Sequence, residues 1–279
     1  MSRLATISVA PSRKAPAGKS QLFHRIFFAL FLVSFALAGL ETVNLLSLRD
    51  NPGWLQALLV VATAVTTLVS LSRQLPGQNV LLAAVIIAAI AGTVQAIGAL
   101  SGIPFGPYLY TESAGPKIFN ILPWSVPVVW IIVLLNARGV ARLILRPWRK
   151  SRLYGFRLIG VTAALTLAFD FGLEPFATQA NHYWLWQPTK LSLLWQGTPL
   201  SNFLGWLVTA LVVLAFVTPV MINKSHQKFP SDYHPLIVWL LLSLLFATGA
   251  VPHQLWVAAG FIVLVGVITI VMAIRGARW

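Results

Sequence analysis

The chain contains no cysteine, which excludes disulfides, thiolate metal sites and cysteine nucleophiles. Charge is scarce: Asp, Glu, Lys and Arg make up 9% of the 279 residues, against roughly a quarter in an average soluble domain. Acids are the rarest charged class, 6 in all, so any acid–base chemistry has few candidates. No Walker A loop, dinucleotide fingerprint or zinc-ligand spacing is present. The histidines are dispersed and do not form the clustered motifs of membrane di-iron oxygenases. No lysine lies centrally in an apolar run, so a retinal Schiff base has no anchor. No internal repeat is visible, which argues against the repeat-built transporter architectures.

What is abundant is apolar surface. Hydrophobic residues make up 58% of the chain, and the mean hydropathy is +0.81. A chain of this size cannot cover such a surface with its own polar groups, so lipid must cover it. Apolar runs fall at 23–47, 54–72, 79–100, 119–137, 154–173, 201–222, 234–250 and 252–274. Most approach the ~20 residues needed to cross ~30 Å of hydrocarbon. The expectation is an all-α polytopic transmembrane helix bundle of about eight spans. Seven are possible, because the seventh run is short and joins the eighth tightly through Gly249-Ala250-Val251-Pro252. Residues 1–22 are polar and basic and read as a disordered cytoplasmic arm. Residues 23–279 then form a single membrane domain. Ala36-Leu37-Ala38 before Gly39 resembles a signal-peptide cleavage site, but the apolar run continues to Leu48, which favours an uncleaved helix.

The excess of 20 Lys+Arg over 6 Asp+Glu would suggest nucleic acid in a soluble protein. Here the basic residues sit in short loops, so topology and anionic headgroups explain them and no nucleic-acid partner is expected. Eight spans from an inside start place residues 1–25, 73–78, 137–157, 223–233 and 275–279 in the cytoplasm, with 17 of the 20 basic residues. Only Arg49, Lys117 and Lys190 fall outside. That bias predicts a multi-pass protein of the inner (cytoplasmic) membrane with both termini cytoplasmic.

In this topology the polar candidates gather toward the outer side. Glu41 and Asn44 lie near the end of the first span, Gln95 near the end of the third, and Asp170 near the end of the fifth. Glu174 follows Asp170 by four residues, on the same helical face. Asn202 opens the sixth span, and His253 sits at the last join. A carboxyl group inside an apolar span faces the bundle interior and is a functional candidate by default. A protonated carboxylic acid in a dry site is what a general acid requires. Glu41, Asp170 and Gln95 could equally be hydrogen-bonding glue between helices, and His182 and His253 solvated loop residues. The tryptophans Trp124, Trp184, Trp186, Trp195 and Trp206 fit an interfacial aromatic belt or the lining of a cleft for a long apolar substrate. Two loops are too structured for plain connectors: residues 101–117, rich in Gly, Pro and Tyr, and residues 170–206, long, aromatic and almost uncharged. The second is expected to fold back as a half-buried lid.

Those loops carry a family resemblance over roughly residues 85–215. Pro104-Phe105-Gly106-Pro107-Tyr108-Leu109-Tyr110, then Gly115-Pro116-Lys117 and a span with Pro123, Pro127 and Trp130, resembles the carotenoid biosynthesis membrane protein family. So does Asp170…Glu174-Pro175, Tyr183-Trp184, Trp186, and Gly197-Thr198-Pro199-Leu200-Ser201-Asn202-Phe203-Leu204-Gly205-Trp206. The family includes carotenoid 1,2-hydratases and bisanhydrobacterioruberin hydratases. Its pattern has an acid where this chain has Gln95, and Asp-Pro where it has Glu174-Pro175.

The resemblance implies a cofactor-independent and metal-independent hydratase. Protonation of the terminal C-1,2 double bond of an acyclic or monocyclic carotenoid gives a tertiary cation, which water captures. It implies Asp170 as acid, or Asp170 and Glu174 as a pair that shares a proton. Gln95, Tyr108, Asn202, Glu41 and Trp206 are then candidates for placing substrate and water. The expected partners are the carotenoid, membrane lipid and other carotenoid biosynthesis enzymes. The alternatives are another reaction on the same substrate class, a carotenoid-binding accessory protein, or a transporter.

Overall fold

The computed structural model describes residues 19–46, 53–188, 193–222 and 231–279. Eight α-helices dominate: α1 (Lys19–Thr42), α2 (Trp54–Ser72), α3 (Gly77–Ser101), α4 (Ser125–Ile144), α5 (Tyr154–Pro175), α6 (Leu200–Val217), α7 (His234–Ala250) and α8 (Trp256–Ala277). All but α7 are long and apolar enough to cross a membrane. The expected polytopic helix bundle is therefore what forms. With 17 residues, α7 rises about 26 Å, a little short of the hydrocarbon thickness, and it packs against α8. Residues 1–18 of the expected N-terminal arm lie outside the described residues, as do Arg49, Lys190, Lys224 and Lys228.

The fourth helix is displaced from its expected place at 119–137. Residues 117–123 instead form a small hairpin, β2 (Lys117–Ile118) against β3 (Leu122–Pro123), so helix starts only at Ser125. It then runs on past Arg138 and Arg142, which end up in its last turns. Hydropathy alone placed the helix too early, because the hairpin is as apolar as a span.

The sequence of α4 explains its position at the centre. It is apolar on nearly every side, and thirteen of its residues are buried. It packs against α2, α3, α5, α7 and α8. One apolar core joins it to α1, α2, α5 and α7, and a second to α3 and α6. The faces turned away from these cores stay apolar and exposed. Leu81 and Val85 on α3, Leu204 and Val208 on α6, and Val263, Val267 and Val271 on α8 recur at helical spacing as lipid-facing stripes.

The long loops meet at one end of the bundle. Strand β1 (Tyr108–Tyr110) pairs antiparallel with β4 (Trp184–Trp186), Tyr108 opposite Trp186 and Tyr110 opposite Trp184. Strand β5 (Leu194–Trp195) pairs with β6 (Thr198–Pro199) just before α6. Of the expected lid over 170–206, residues 170–175 belong to α5 and 200–206 to α6; the part between them bears strands, is held to the other loop by backbone pairing and is entered through a π-helical turn, Phe176–Ala180.

Candidate functional site

Six of the seven candidate residues line one cavity of about 830 Å³ at the loop-bearing end: Glu41, Gln95, Tyr108, Glu174, Asn202 and Trp206. The bundle supplies five of them from helix ends, and β1 supplies Tyr108. Glu41 comes from the last turn of α1, Gln95 from the last two turns of α3, Glu174 from the last turn of α5, and Asn202 and Trp206 from the first turns of α6. Asp170 is fully buried and does not reach the wall; it sits one turn behind Glu174 on α5.

The two carboxyl groups are joined by one side chain. Asn202 Nδ2 donates to Asp170 Oδ2 at 3.0 Å and to Glu174 Oε1 at 2.9 Å. The i, i+4 spacing on α5 puts both acids on the face that meets the start of α6. Their remaining oxygens are treated very differently. Glu174 Oε2 accepts from Trp184 Nε1 at 3.2 Å, Trp186 Nε1 at 3.1 Å and Thr198 Oγ1 at 3.3 Å. Asp170 Oδ1 is buried and has no partner among the described residues. Four donors therefore converge on Glu174 and one on Asp170. Negative charge is best accommodated where the donors are, so the arrangement stabilises a Glu174 carboxylate once its proton has left.

The strands build that cradle. In a strand, side chains two apart share a face, so Trp184 and Trp186 both turn to Glu174 while Leu185 stays exposed. Across the ladder, Tyr108 and Tyr110 turn the same way. Their hydroxyls donate to Gln95 Oε1 at 3.1 and 3.4 Å. Burial pushes the Tyr108 hydroxyl up to about 12; the hydrogen bond with Tyr110 opposes this and the charge of Glu174 adds to it. Tyr110 is raised well above its usual value, first by burial and then by Tyr108. Both remain neutral donors at physiological pH.

Phe105 locks the first loop to the bundle. Its ring is held between Gly98 of α3 and Gly205 of α6, where an added Cβ would lie 2.5 Å from the ring on either side. Ser201 Oγ donates to Phe105 O at 2.9 Å, and Gly106 beside it takes a φ of 105°, which suits glycine. The motif Pro104-Phe105-Gly106 is thus a packing device that fixes the register of β1.

Aromatic rings make up much of the remaining wall. Trp206 stacks on Trp130 with centroids 4.1 Å apart, and Trp124, Phe169 and Phe246 complete an apolar lining. Glu41 accepts from Gln56 Nε2 at 2.8 Å. Asn44 and His253 are exposed at the mouth, and His182 is exposed on the loop. Among the described residues, no three His, Asp or Glu side chains come together as a metal site.

Sequence reasoning missed Trp184, Trp186 and Thr198 as donors, and Tyr110 as the second partner of Gln95. The signal was present in Tyr-Leu-Tyr and Trp-Leu-Trp, two short period-2 patterns that fit paired strands.

Residues 26–273 match the carotenoid biosynthesis protein family, and the chain belongs to it. Over 121 residues it is 26% identical to the bisanhydrobacterioruberin hydratase of Haloarcula japonica. That match spans 43% of this chain and 39% of the length of that relative. No solved structure matches the chain.

Proposed function

We propose that this carotenoid biosynthesis protein is a hydratase that adds water across the terminal C-1,2 double bond of an acyclic or monocyclic carotenoid. The observation that carries the reading is the Glu174 carboxyl at the wall of a large aromatic cavity, with one oxygen in a three-donor cradle. An alkene is a weak base, so the acid that protonates it must leave behind a well-stabilised anion. Donors fixed in advance at the site of developing charge do this without reorganisation.

The proton starts on Glu174, the acid that faces the cavity. It passes to the alkene carbon C-2, and the π electrons form the new C–H bond while the O–H pair stays on the carboxylate. Positive charge is left at the tertiary carbon C-1, where indole and phenyl faces stabilise it. A water then attacks C-1 and returns a proton to the Glu174 carboxylate, which restores the starting state and leaves a tertiary alcohol. Two amides suit the water. Gln95 has its carbonyl oxygen taken by two tyrosine hydroxyls, which leaves its N–H groups; Asn202 has its N–H groups on the acids, which leaves its carbonyl oxygen. Asp170 is a positioning residue that acts on Glu174 through the Asn202 amide between them. With glutamine at 95 in place of the acid of the family pattern, the acids bridged by Asn202 are the ones that support the proton transfer.

Expression in a lycopene-accumulating host, with mass spectrometry of the pigments, tests the reading. The expected result is a gain of one water per modified end, lowered by about 10²-fold or more in Glu174→Gln. Pigment that co-purifies with the membrane-inserted protein at unchanged mass would replace the reaction by simple carotenoid binding.

A further inference from the structure

At the opposite, basic end of the bundle lies a second cavity of about 100 Å³ that the hydration chemistry does not use. Arg138 and Arg142 in the last turns of α4, and Arg146 and Arg149 in the turn that follows, all line it. Arg138 is 6% exposed. Among the described residues its guanidinium reaches only Met221 O, at 3.4 Å, and its Nε is buried with no partner. Arg142 donates to Gln74 at 3.1 Å and Arg146 to Ser231, both neutral side chains. Among the described residues the one ion pair is Lys117–Glu112, far from this cavity.

The sequence leaves almost nothing to neutralise these charges. Of its six acids, Glu41, Asp170 and Glu174 belong to the catalytic end and Glu112 to the loop above it. Asp50 lies in the α1–α2 connection, outside the described residues. Only Asp232 faces the arginines, and its oxygens already accept from Ser70, Gln74 and the His234 backbone N–H. A guanidinium buried away from water without a counter-charge is costly. Its planar fork matches phosphate oxygens in pairs.

We propose that this cavity binds a phosphate group, carried by an anionic lipid headgroup or free in solution. The bound anion supplies the negative charge that the sequence withholds, with Arg138 as its deepest ligand and Arg142, Arg146 and Arg149 closing around it. Its binding is separate from the reaction at Glu174, and the readout below does not depend on activity.

The test uses the full-length protein in non-ionic detergent, with unfolding followed by tryptophan fluorescence. Inorganic phosphate, a short-chain phosphatidic acid and the diacylglycerol of the same chain length are titrated separately. A saturable rise in Tm is expected with a phosphate-bearing ligand. It should be lost in R142Q/R146Q and kept in R275Q/R278Q, which removes the same charge from exposed positions at the same end of the bundle. A response to inorganic phosphate assigns a free-phosphate site, and a response to phosphatidic acid alone assigns a headgroup site. If R142Q/R146Q does not fold, R149Q, at an exposed position, should shift the titration to about tenfold higher ligand. No saturable rise with either phosphate ligand, an equal rise with diacylglycerol, or an undiminished rise in the pocket variants would overturn the proposal.

Discussion

Trp184 donates its indole N–H to Glu174 across 3.2 Å, although the two lie ten residues apart on different elements. Trp186 repeats the contact from the same strand face, and Thr198 adds a third donor to the same oxygen. Removing the acid while keeping its shape should be the most damaging change. Glu174→Gln is expected to lower hydrated-pigment formation by about 10²-fold or more, with the protein still inserted. Pigment masses in membranes of matched protein content check this. Wild-type product levels in the variant would remove Glu174 from the mechanism.

The cradle can be tested apart from the acid. Trp184→Phe and Trp186→Phe keep the aromatic wall and delete one donor each. Losing one preorganised donor costs on the order of 10²-fold in catalysed rate where charge develops, and the double variant should fall further. Pigment binding in detergent extracts should be nearly unchanged, so that turnover falls while retention does not. Equal loss of both would mean that the tryptophans only shape the cavity.

Asn202 holds two buried carboxyls with one nitrogen. Asn202→Leu deletes both hydrogen bonds and leaves polar oxygens unpaired. The expected cost is about 1–3 kcal/mol of stability for each group left unsatisfied, seen as a lower Tm in detergent, with activity lost. Asp170→Asn keeps the volume. It should reduce activity and change its pH dependence while leaving Tm closer to wild type, as suits a residue that acts through its neighbour.

Gly98→Ala and Gly205→Ala each place a methyl group into the ring of Phe105. The ring cannot swing away from one glycine without striking the other, so β1 must shift. Overpacking of this kind costs about 1–3 kcal/mol. Both variants should lose activity together with stability. Either one behaving as wild type in a melt would show that the loop is free to yield.

Tyr108 gives a pH signature. A free tyrosine ionises near 10, whereas burial holds Tyr108 neutral up to about 12. Between those values the unfolded chain releases a proton that the folded protein keeps. The stabilisation is whole below pH 10 and is lost as pH rises toward 12. The Tm of the wild type should therefore fall faster than that of Tyr108→Phe above about pH 10. Parallel curves would mean that water reaches the hydroxyl.

Much of the fold was legible because hydropathy reports spans directly, and α2, α3 and α5 fall close to where the apolar runs predicted. The α4 boundary was not legible, because Ile118 to Pro123 is apolar enough to pass for helix and only pairing with Lys117 makes it a hairpin. In the site, Asp170, Glu174 and Asn202 could be singled out by type and spacing within helices. Trp184 and Trp186 were legible only as belt or cleft tryptophans, because their role as donors depends on Tyr108–Tyr110 lying beside them, more than seventy residues away in the chain. Such a contact is a property of the ladder and has no local periodicity longer than three residues to announce it.

The β1–β4 ladder makes two distant loops into one exchangeable unit. Its four inward rings belong half to the 101–124 loop and half to the 176–199 loop, and each half is in register only against the other. Grafting one loop from a relative would leave Gln95 or Glu174 facing an alien strand. Grafting both should carry a complete wall onto an unchanged bundle, so that the cavity can be relined by coordinated loop exchange while the helices stay as they are.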